Sequence, residues 1–247
     1  MKKPRLSGSK WNKYRLIQGV PALADIQPET RLYSTSNLTA MLRRFKTLYV
    51  KPDDSFGGLD VLCLTKSKQG KGIQMQHGRL KKSFASIAEF HNWFQTLRRR
   101  RRFIIQQGIG LAPWHGRPVD IRTLVQRNEK GLWETTGYFA KAGAPGLAIT
   151  NIKSGGKLLT VRTYLRSLDL SLDERAAILR ELQLMSEQVA QVFGPSFSNR
   201  RYGLDIGIDR KHKLWLIEVN TRTSINVLHK VDKEMYRRAA KLAKKKL

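Results

Sequence analysis

Three oxygen-bearing side chains, Asp205, Glu218 and Asn220, lie within the stretch YGLDIGIDRKHKLWLIEVN (202–220), which otherwise reads as a buried β-hairpin. Side chains on a strand alternate between faces, so Leu204, Ile206 and Ile208 share one face, and Trp215, Ile217 and Val219 share another. Burying both rows together predicts the pairs Ile206 with Ile217 and Ile208 with Trp215, closed by an even-numbered loop in RKHK (210–213). A slip of one residue would throw a whole row into water. Asp205 then faces Glu218, with Asn220 two residues along the same face. Facing carboxylates repel, and a hard divalent cation such as Mg2+ relieves that repulsion through oxygen ligands. A solvated polar face has the same alternation, so the pattern alone leaves both readings open.

Other residues are placed to address an anion. In LYVKP, Lys51 ends an apolar strand and points away from Leu48 and Val50, and a lysine there reaches a phosphate as a point charge. The turn DDSFGG (53–58) that follows offers backbone N–H groups and two glycines, the material of a phosphate-covering loop and also of an ordinary hairpin turn. In RPVDIRTLV, Val119, Ile121, Thr123 and Val125 form the buried row, leaving Asp120 and Arg122 together on the other face. They either pair with each other, or Arg122 turns its planar fork to phosphate oxygens. Cys63 sits in an apolar strand pattern and reads as packing, and the five histidines are scattered without metal-ligand spacing. No acyl-enzyme nucleophile stands out.

The elements that must position these residues fit in 247 residues, of which 40% are hydrophobic. The formal charge of +28 favours polyanionic partners: nucleic acid, an anionic membrane or an acidic polymer. A single cysteine excludes an intramolecular disulfide and an all-thiolate zinc site, and points to a reducing, cytoplasmic setting. The basic start lacks the apolar segment of a signal peptide, and no run is long enough to span a bilayer, so neither export nor insertion is expected.

Residues 1–28 read as a basic arm. A helix is expected over Thr35–Phe45, with Ser36 as a possible N-cap, and strands over Thr47–Lys51 and Leu59–Leu64. A second helix runs from Ser86 into RRRRR (98–102) and feeds the strand FIIQQGI (103–109). RPVDIRTLVQRN, GLWETTGYFAKAG and KLLTVRTYL read as strands of a second sheet. The long helix after Ser171 has a capping box with Glu174, a stripe of Ile178, Leu182, Met185, Val189 and Val192, and a stop at Gly194-Pro195. The expected class is α+β: a smaller lobe and hinge over 29–109, a metal-binding lobe over 110–231, a cleft between them, and a basic C-terminal helix over 232–247.

PETRLYSTSNLTAMLRRFKTLYVKP, FIIQQGI, GRPVDIRTLVQRNEKGLWETTGYFAKAG, NIKSGGK and GLDIGIDRKHKLWLIEVN, in that order, resemble the YheC/YheD-like, endospore coat-associated branch of the ATP-grasp superfamily. The resemblance implies ATP and Mg2+ as ligands, bound between two α+β lobes. It places Lys51 on the α- or β-phosphate, the Gly57-Gly58 turn over the phosphates, and the backbone near Ile105 and Gln106 at the adenine. Gln107 stands where many members put a ribose-binding glutamate, and Lys141 where arginine is more usual. Arg122 and Lys141 would neutralise the transferring phosphate, Asn151 would contribute from the second lobe, and Asp205, Glu218 and Asn220 would hold Mg2+. The implied activity is ligation of a carboxylate to an amine or thiol through an acyl phosphate, in a spore-associated setting; a kinase reaction would use the same apparatus. A catalytically silent coat component and a nonspecific nucleic-acid binder are the alternatives, although Trp93, Phe94 and Trp215 fall on apolar faces rather than on a stacking stripe. The separate N-terminal domain of longer members is expected to be absent or reduced to the arm. RRRRR, MKKPR and KLAKKKL would recruit the acceptor, an acidic polymer or acidic coat protein.

Overall fold

Alternating apolar residues build two antiparallel sheets, and each buries one face under helices. The computed structural model describes residues 8–55, 60–67, 72–98, 101–150, 152 and 155–244. Helices α1 (Lys10–Gln18) and α2 (Pro21–Ala24) lead into strand β1 (Thr30–Leu32), helix α3 (Thr35–Arg44) and strands β2 (Thr47–Pro52), β3 (Leu62–Lys66), β4 (Ile73–His77) and β5 (Leu80–Phe84). Helix α4 (Ile87–Arg98) and strand β6 (Phe103–Gln107) complete the first half. The second half holds β7 (Val119–Arg127), β8 (Trp133–Ala142), β9 (Lys157–Leu159), α5 (Val161–Arg166), α6 (Leu172–Phe193), β10 (Arg201–Ile208), β11 (Leu214–Asn220), α7 (Leu228–Val231) and α8 (Lys233–Lys244).

The first sheet has the order β1-β6-β2-β3-β4-β5 and the second β11-β10-β7-β8-β9, every pairing antiparallel. Leu38, Met41 and Leu42 of α3 and Phe90 and Phe94 of α4 cover the first sheet. Ile178, Leu182, Met185 and Val189 of α6, the predicted stripe, cover the second with Val119, Ile121 and Val125 of β7. Val192 packs at the edge of that core. The Ser171–Glu174 capping box is formed, so orphan amides at the start of α6 are satisfied from both directions. On the other face of the second sheet, Leu228 and Ala239 of α7 and α8 pack on Leu124 and Phe139. That face is therefore half covered by the C-terminal segment and half open to the cleft.

Four local expectations are corrected. Residues 9–24, read as part of an arm, fold as α1 and α2: Ser9 caps α1, and Ile17 and Leu23 are buried in the larger core. Burying a side chain of that size contributes about 1.5–3 kcal/mol, enough to dock a helix that looked basic and weakly apolar. Ser34, not Ser36, caps α3. KLLTVRTYL is not one strand, because Thr160 caps α5 and ends β9 after three residues. The β10–β11 hairpin keeps Asp205 opposite Glu218 but shifts register between Asp205 and Ile206, giving Ile206 with Leu216 and Ile208 with Leu214. This bulge puts Leu214 and Leu216 into the core beside Val219 and closes the hairpin over the five residues 209–213. Trp215 is freed to donate its indole N–H to Asp209 Oδ2 at 2.9 Å, and Ile217 turns to the cleft. The β4–β5 hairpin, unread in the sequence, turns at Gly78, which takes the left-handed φ of 57°.

Candidate functional site

Successive odd positions on β10 that face the cleft are Gly203, Asp205 and Gly207, so Asp205 stands alone between two residues without side chains. The glycines leave space for neighbours. A Cβ at Gly203 would lie 2.5 Å from Thr223 Oγ1 and 3.2 Å from Arg122 Cδ, and one at Gly207 would lie 2.4 Å from Leu111 Cδ2 and 3.1 Å from Ile217 Cδ1. Along one strand the surface thus passes from cationic at Arg122 to apolar at Leu111 and Ile217.

Asp205 is saturated with donors. Arg122 grips it with both arms of its fork, at 2.8 and 2.9 Å; Lys141 Nζ is 2.7 Å away and Asn220 Nδ2 3.0 Å. The sequence had left Asp120 and Arg122 as possible partners of each other. Instead, cross-strand register pairs Asp120 with Lys141 at 2.8 Å and Asp205 with Arg122. Asp120 also accepts from the Thr150 hydroxyl, while its Oδ1, close to Lys141, lacks an aligned hydrogen bond.

The first sheet supplies the opposite wall. Lys51 Nζ donates to Gln106 Oε1 at 2.6 Å and lies 5.5 Å from the Tyr49 ring centroid. Tyr49 donates across the cleft to the Ala148 carbonyl at 2.9 Å. Helix α1 adds two lysines absent from the sequence reading. Lys10 reaches the Ser55 carbonyl and stands 3.6 Å from Glu218, and Lys13 donates to the Val219 carbonyl at 2.7 Å. Asp53 anchors the start of the turn that was read as phosphate-covering, accepting from Trp11 N at 2.8 Å and Arg102 Nε at 2.6 Å. Arg101 pairs with Asp54 and Asp60, so two of the five arginines in the basic run brace that turn. Gly57, Gly58, Asn151, Arg99 and Arg100 lie outside the described residues, as do 1–7 and 245–247.

The cavity between the sheets has a volume of about 270 Å³ and is lined by Lys10, Lys51, Arg122 and Lys141 together with Val61, Ile109, Leu111 and Ile217. Gln106, Gln107, Asp205, Glu218 and Asn220 also line it. Ile105 does not: its side chain is in the smaller core, and its backbone lies between β1 and β2. Gln107 Oε1 accepts from Glu29 N at 3.1 Å. Tyr49, Asp120 and Thr150 join the predicted set; Asp120 was visible in its alternation, whereas Tyr49 and Lys10 carried no sequence signal beyond their types.

Charge is unbalanced here. Burial alone would raise the Asp205 pKa, but Arg122 and Lys141 overcome it and hold the carboxyl far below the usual range. Burial pushes Asp120 up, reinforced by Asp205 and opposed by Lys141. Burial lowers Lys51, only partly offset by Glu218, and lowers Lys13 in the same way. Burial works against Lys141, but Asp120 and Asp205 raise it above the ordinary lysine value. Lys10, Lys51, Arg122 and Lys141 line the cavity with Asp120, Asp205 and Glu218, four cations to three carboxylates, and the excess is suited to a polyanionic ligand. Among the described residues no group of three or more His, Cys, Asp or Glu is arranged to hold a metal. Two carboxylates and an amide on one face are nevertheless a donor set of the kind Mg2+ takes when a ligand's phosphates complete the shell, and Asp120 Oδ1 adds a buried oxygen not fully satisfied.

The family description "YheC/D like ATP-grasp" matches residues 3–245. The endospore coat-associated proteins YheD and YheC of Bacillus subtilis (strain 168) are 28% identical over 248 aligned positions and 22% over 232. These alignments cover 95% and 91% of the chain but 53% and 62% of the relatives, so the chain spans between half and two thirds of their length. Among solved structures, the D-alanine-D-alanine ligase from Coxiella burnetii aligns with a TM-score of 0.52 at 13% identity, covering 95% of this chain and 56% of that one. The ATP-grasp ligase PsnB, complexed with a minimal precursor, aligns with a TM-score of 0.54 at 10% identity, covering 96% and 60%. These two likenesses establish the architecture of the two sheets and their cleft.

Proposed function

The chain belongs to the YheC/D-like ATP-grasp family, and from that premise we propose that it binds MgATP and joins a carboxylate to an amine or thiol. The observation that carries this reading is the cleft itself, where a surplus of buried and half-buried cations meets an apolar patch along one strand. Lys51 and Lys10 hold the phosphates, with Gly57 and Gly58 of the segment that follows; Tyr49, Ile109, Leu111 and Ile217 receive the base; Gln107 lies beside them. Asp205, Glu218 and Asn220 hold Mg2+, which when bound neutralises phosphate charge as a Lewis acid. Arg122 and Lys141 stabilise the charge that spreads over the transferring phosphoryl group.

In the reaction, an acceptor carboxylate oxygen bonds to the γ-phosphorus as the bond to the bridging oxygen breaks and ADP leaves. An amine nitrogen or thiol sulfur, losing its proton, then bonds the acyl carbon and inorganic phosphate departs. Positioning and charge neutralisation carry most of this chemistry; Cys63 is buried, its thiol pKa raised by that burial. The curated relatives are named for the endospore coat, and we extend that setting to this chain.

Labelled ATP incubated with the protein, acidic acceptor peptides and an amine tests the reading. A ligase yields ADP, free phosphate and a condensed product; a kinase leaves the label on the acceptor. A second reading, a catalytically silent, nucleotide-binding coat component, is favoured by the donor saturation of Asp205, and it requires that no ADP form with any acceptor.

A further inference from the structure

A second cavity, about 490 Å³, opens at the start of β10, between the turn after β11 and the last turn of α8. Arg127, Arg200, Arg201 and Arg222 line it with Asn199 and Thr223, and among the described residues its lining holds neither a carboxylate nor an aromatic ring. Arg201 and Arg222 form no ion pair with any described carboxylate. Arg127 is held over Trp133, 5.3 Å from the ring centroid. Asn199 Nδ2 donates to the Thr221 carbonyl at 2.7 Å and fixes the turn that presents Arg222.

This groove adjoins the nucleotide cleft. Thr223 forms the partition: Arg122 Nη1 donates to its hydroxyl at 3.5 Å, and Gly203 permits that approach. A ligand in the groove therefore ends one residue from the arginine that faces the cleft.

We infer that the groove binds the acceptor, and that the acceptor is a carboxylate-rich chain such as an acidic peptide; its role as acceptor rests on the ligase reading above. The Arg201 and Arg222 guanidinium groups, facing no described carboxylate, repel one another unless an anion lies between them, and their forks match carboxylates in bidentate pairs. Single-stranded nucleic acid needs stacking platforms as well as charge, and the groove offers no ring. A carboxylate chain laid along the arginines brings one carboxyl group to the Thr223 partition, beside Arg122.

The test uses the full chain, a labelled oligoglutamate and an oligothymidylate of equal charge, read by fluorescence anisotropy, with ATP affinity measured separately by calorimetry. Arg201→Gln with Arg222→Gln should weaken oligoglutamate binding about tenfold or more, while Arg201→Lys with Arg222→Lys restores only part of it, because charge returns without the fork. ATP affinity should be unchanged in both. Arg222 is exposed on a turn, so Arg222→Gln alone, expected to show a smaller loss in the same direction, guards against misfolding of the double variant. Equal oligoglutamate affinity in wild type and the glutamine pair overturns the proposal. So does tighter binding of oligothymidylate that falls in parallel. Arginine-dependent oligoglutamate binding in a protein that takes up no ATP keeps the groove as an acidic-chain site and removes the ligase reading. ATP binding with arginine-independent oligoglutamate binding does the reverse.

Discussion

Replacing Asp205 by asparagine would leave Arg122 and Lys141 buried beside a neutral amide, and stranding buried charge costs about 3–5 kcal/mol. Asp205→Asn should therefore lower the melting temperature sharply, and a melting temperature equal to wild type would show that the network carries little energy. Because the folded pKa of Asp205 lies below its ordinary 3.8, its contribution to stability is complete above that value and is lost as pH falls toward the folded pKa. Thermal melting between pH about 5 and pH about 2 should show this acid loss in wild type and a shallower slope in Asp205→Asn. Lys51 behaves in the opposite sense: its pKa is lowered by burial, so its charge is a cost that a bound phosphate would relieve. Lys51→Met should raise the melting temperature of the ligand-free protein while weakening ATP binding about tenfold or more. A variant that binds ATP as wild type does would place Lys51 outside the phosphate site.

At the scale of elements, β10 shows why part of the site was legible and part was not. Asp205 opposite Glu218 follows from alternation and from the loop between the strands, and the structure has that pair. The bulge beyond it does not follow, because LWLI offers two apolar rows of similar hydrophobicity, and the choice of Leu214 and Leu216 for the core depends on Ile217 having a cleft to face. Gly203 and Gly207 were in plain view in GLDIG, yet their purpose becomes visible only when Thr223 and Leu111 approach from distant segments. Gly207→Ala should press Leu111 into the apolar end and reduce ATP affinity, at a folding cost of about 1–3 kcal/mol or less, since the obstructing atom is the tip of a flexible side chain. Calorimetry showing unchanged affinity would remove that end as the base site. Helix α1 was missed because its apolar content is low; one buried isoleucine and capping by Ser9 dock it. Ile17→Ala should cost about 2–4 kcal/mol in chemical denaturation, and a loss below about 1 kcal/mol would return residues 9–24 to the status of an arm.

On the scale of the molecule, polar ties join the two halves, among them Tyr49 to Ala148, Gln76 to Gly146 and Gln106 to Ile217, and Lys10 of α1 bridges Ser55 and Glu218. The charge of +28 is distributed beyond the cleft, part of it in the arginine groove beside Thr223 and part spent internally, as Arg101 and Arg102 show. Nothing in composition alone separates those uses, since counting arginines does not reveal which have carboxylate partners. Among the described residues no helix is long and apolar enough to cross a membrane. All of these assignments depend on a triphosphate and Mg2+ occupying the cleft, and calorimetric titration of ATP into wild type and Glu218→Gln, each with and without Mg2+, addresses that directly. Glu218 is chosen because its contact with Lys10 is a long 3.6 Å one; it also offsets the burial of Lys51 and Lys13, so the melting temperature of the variant is measured alongside. The account predicts binding by wild type that strengthens with Mg2+, and in Glu218→Gln a selective loss of the Mg2+-dependent part; the absence of ATP binding to folded wild type, or an identical Mg2+ dependence in the two proteins, would contradict it.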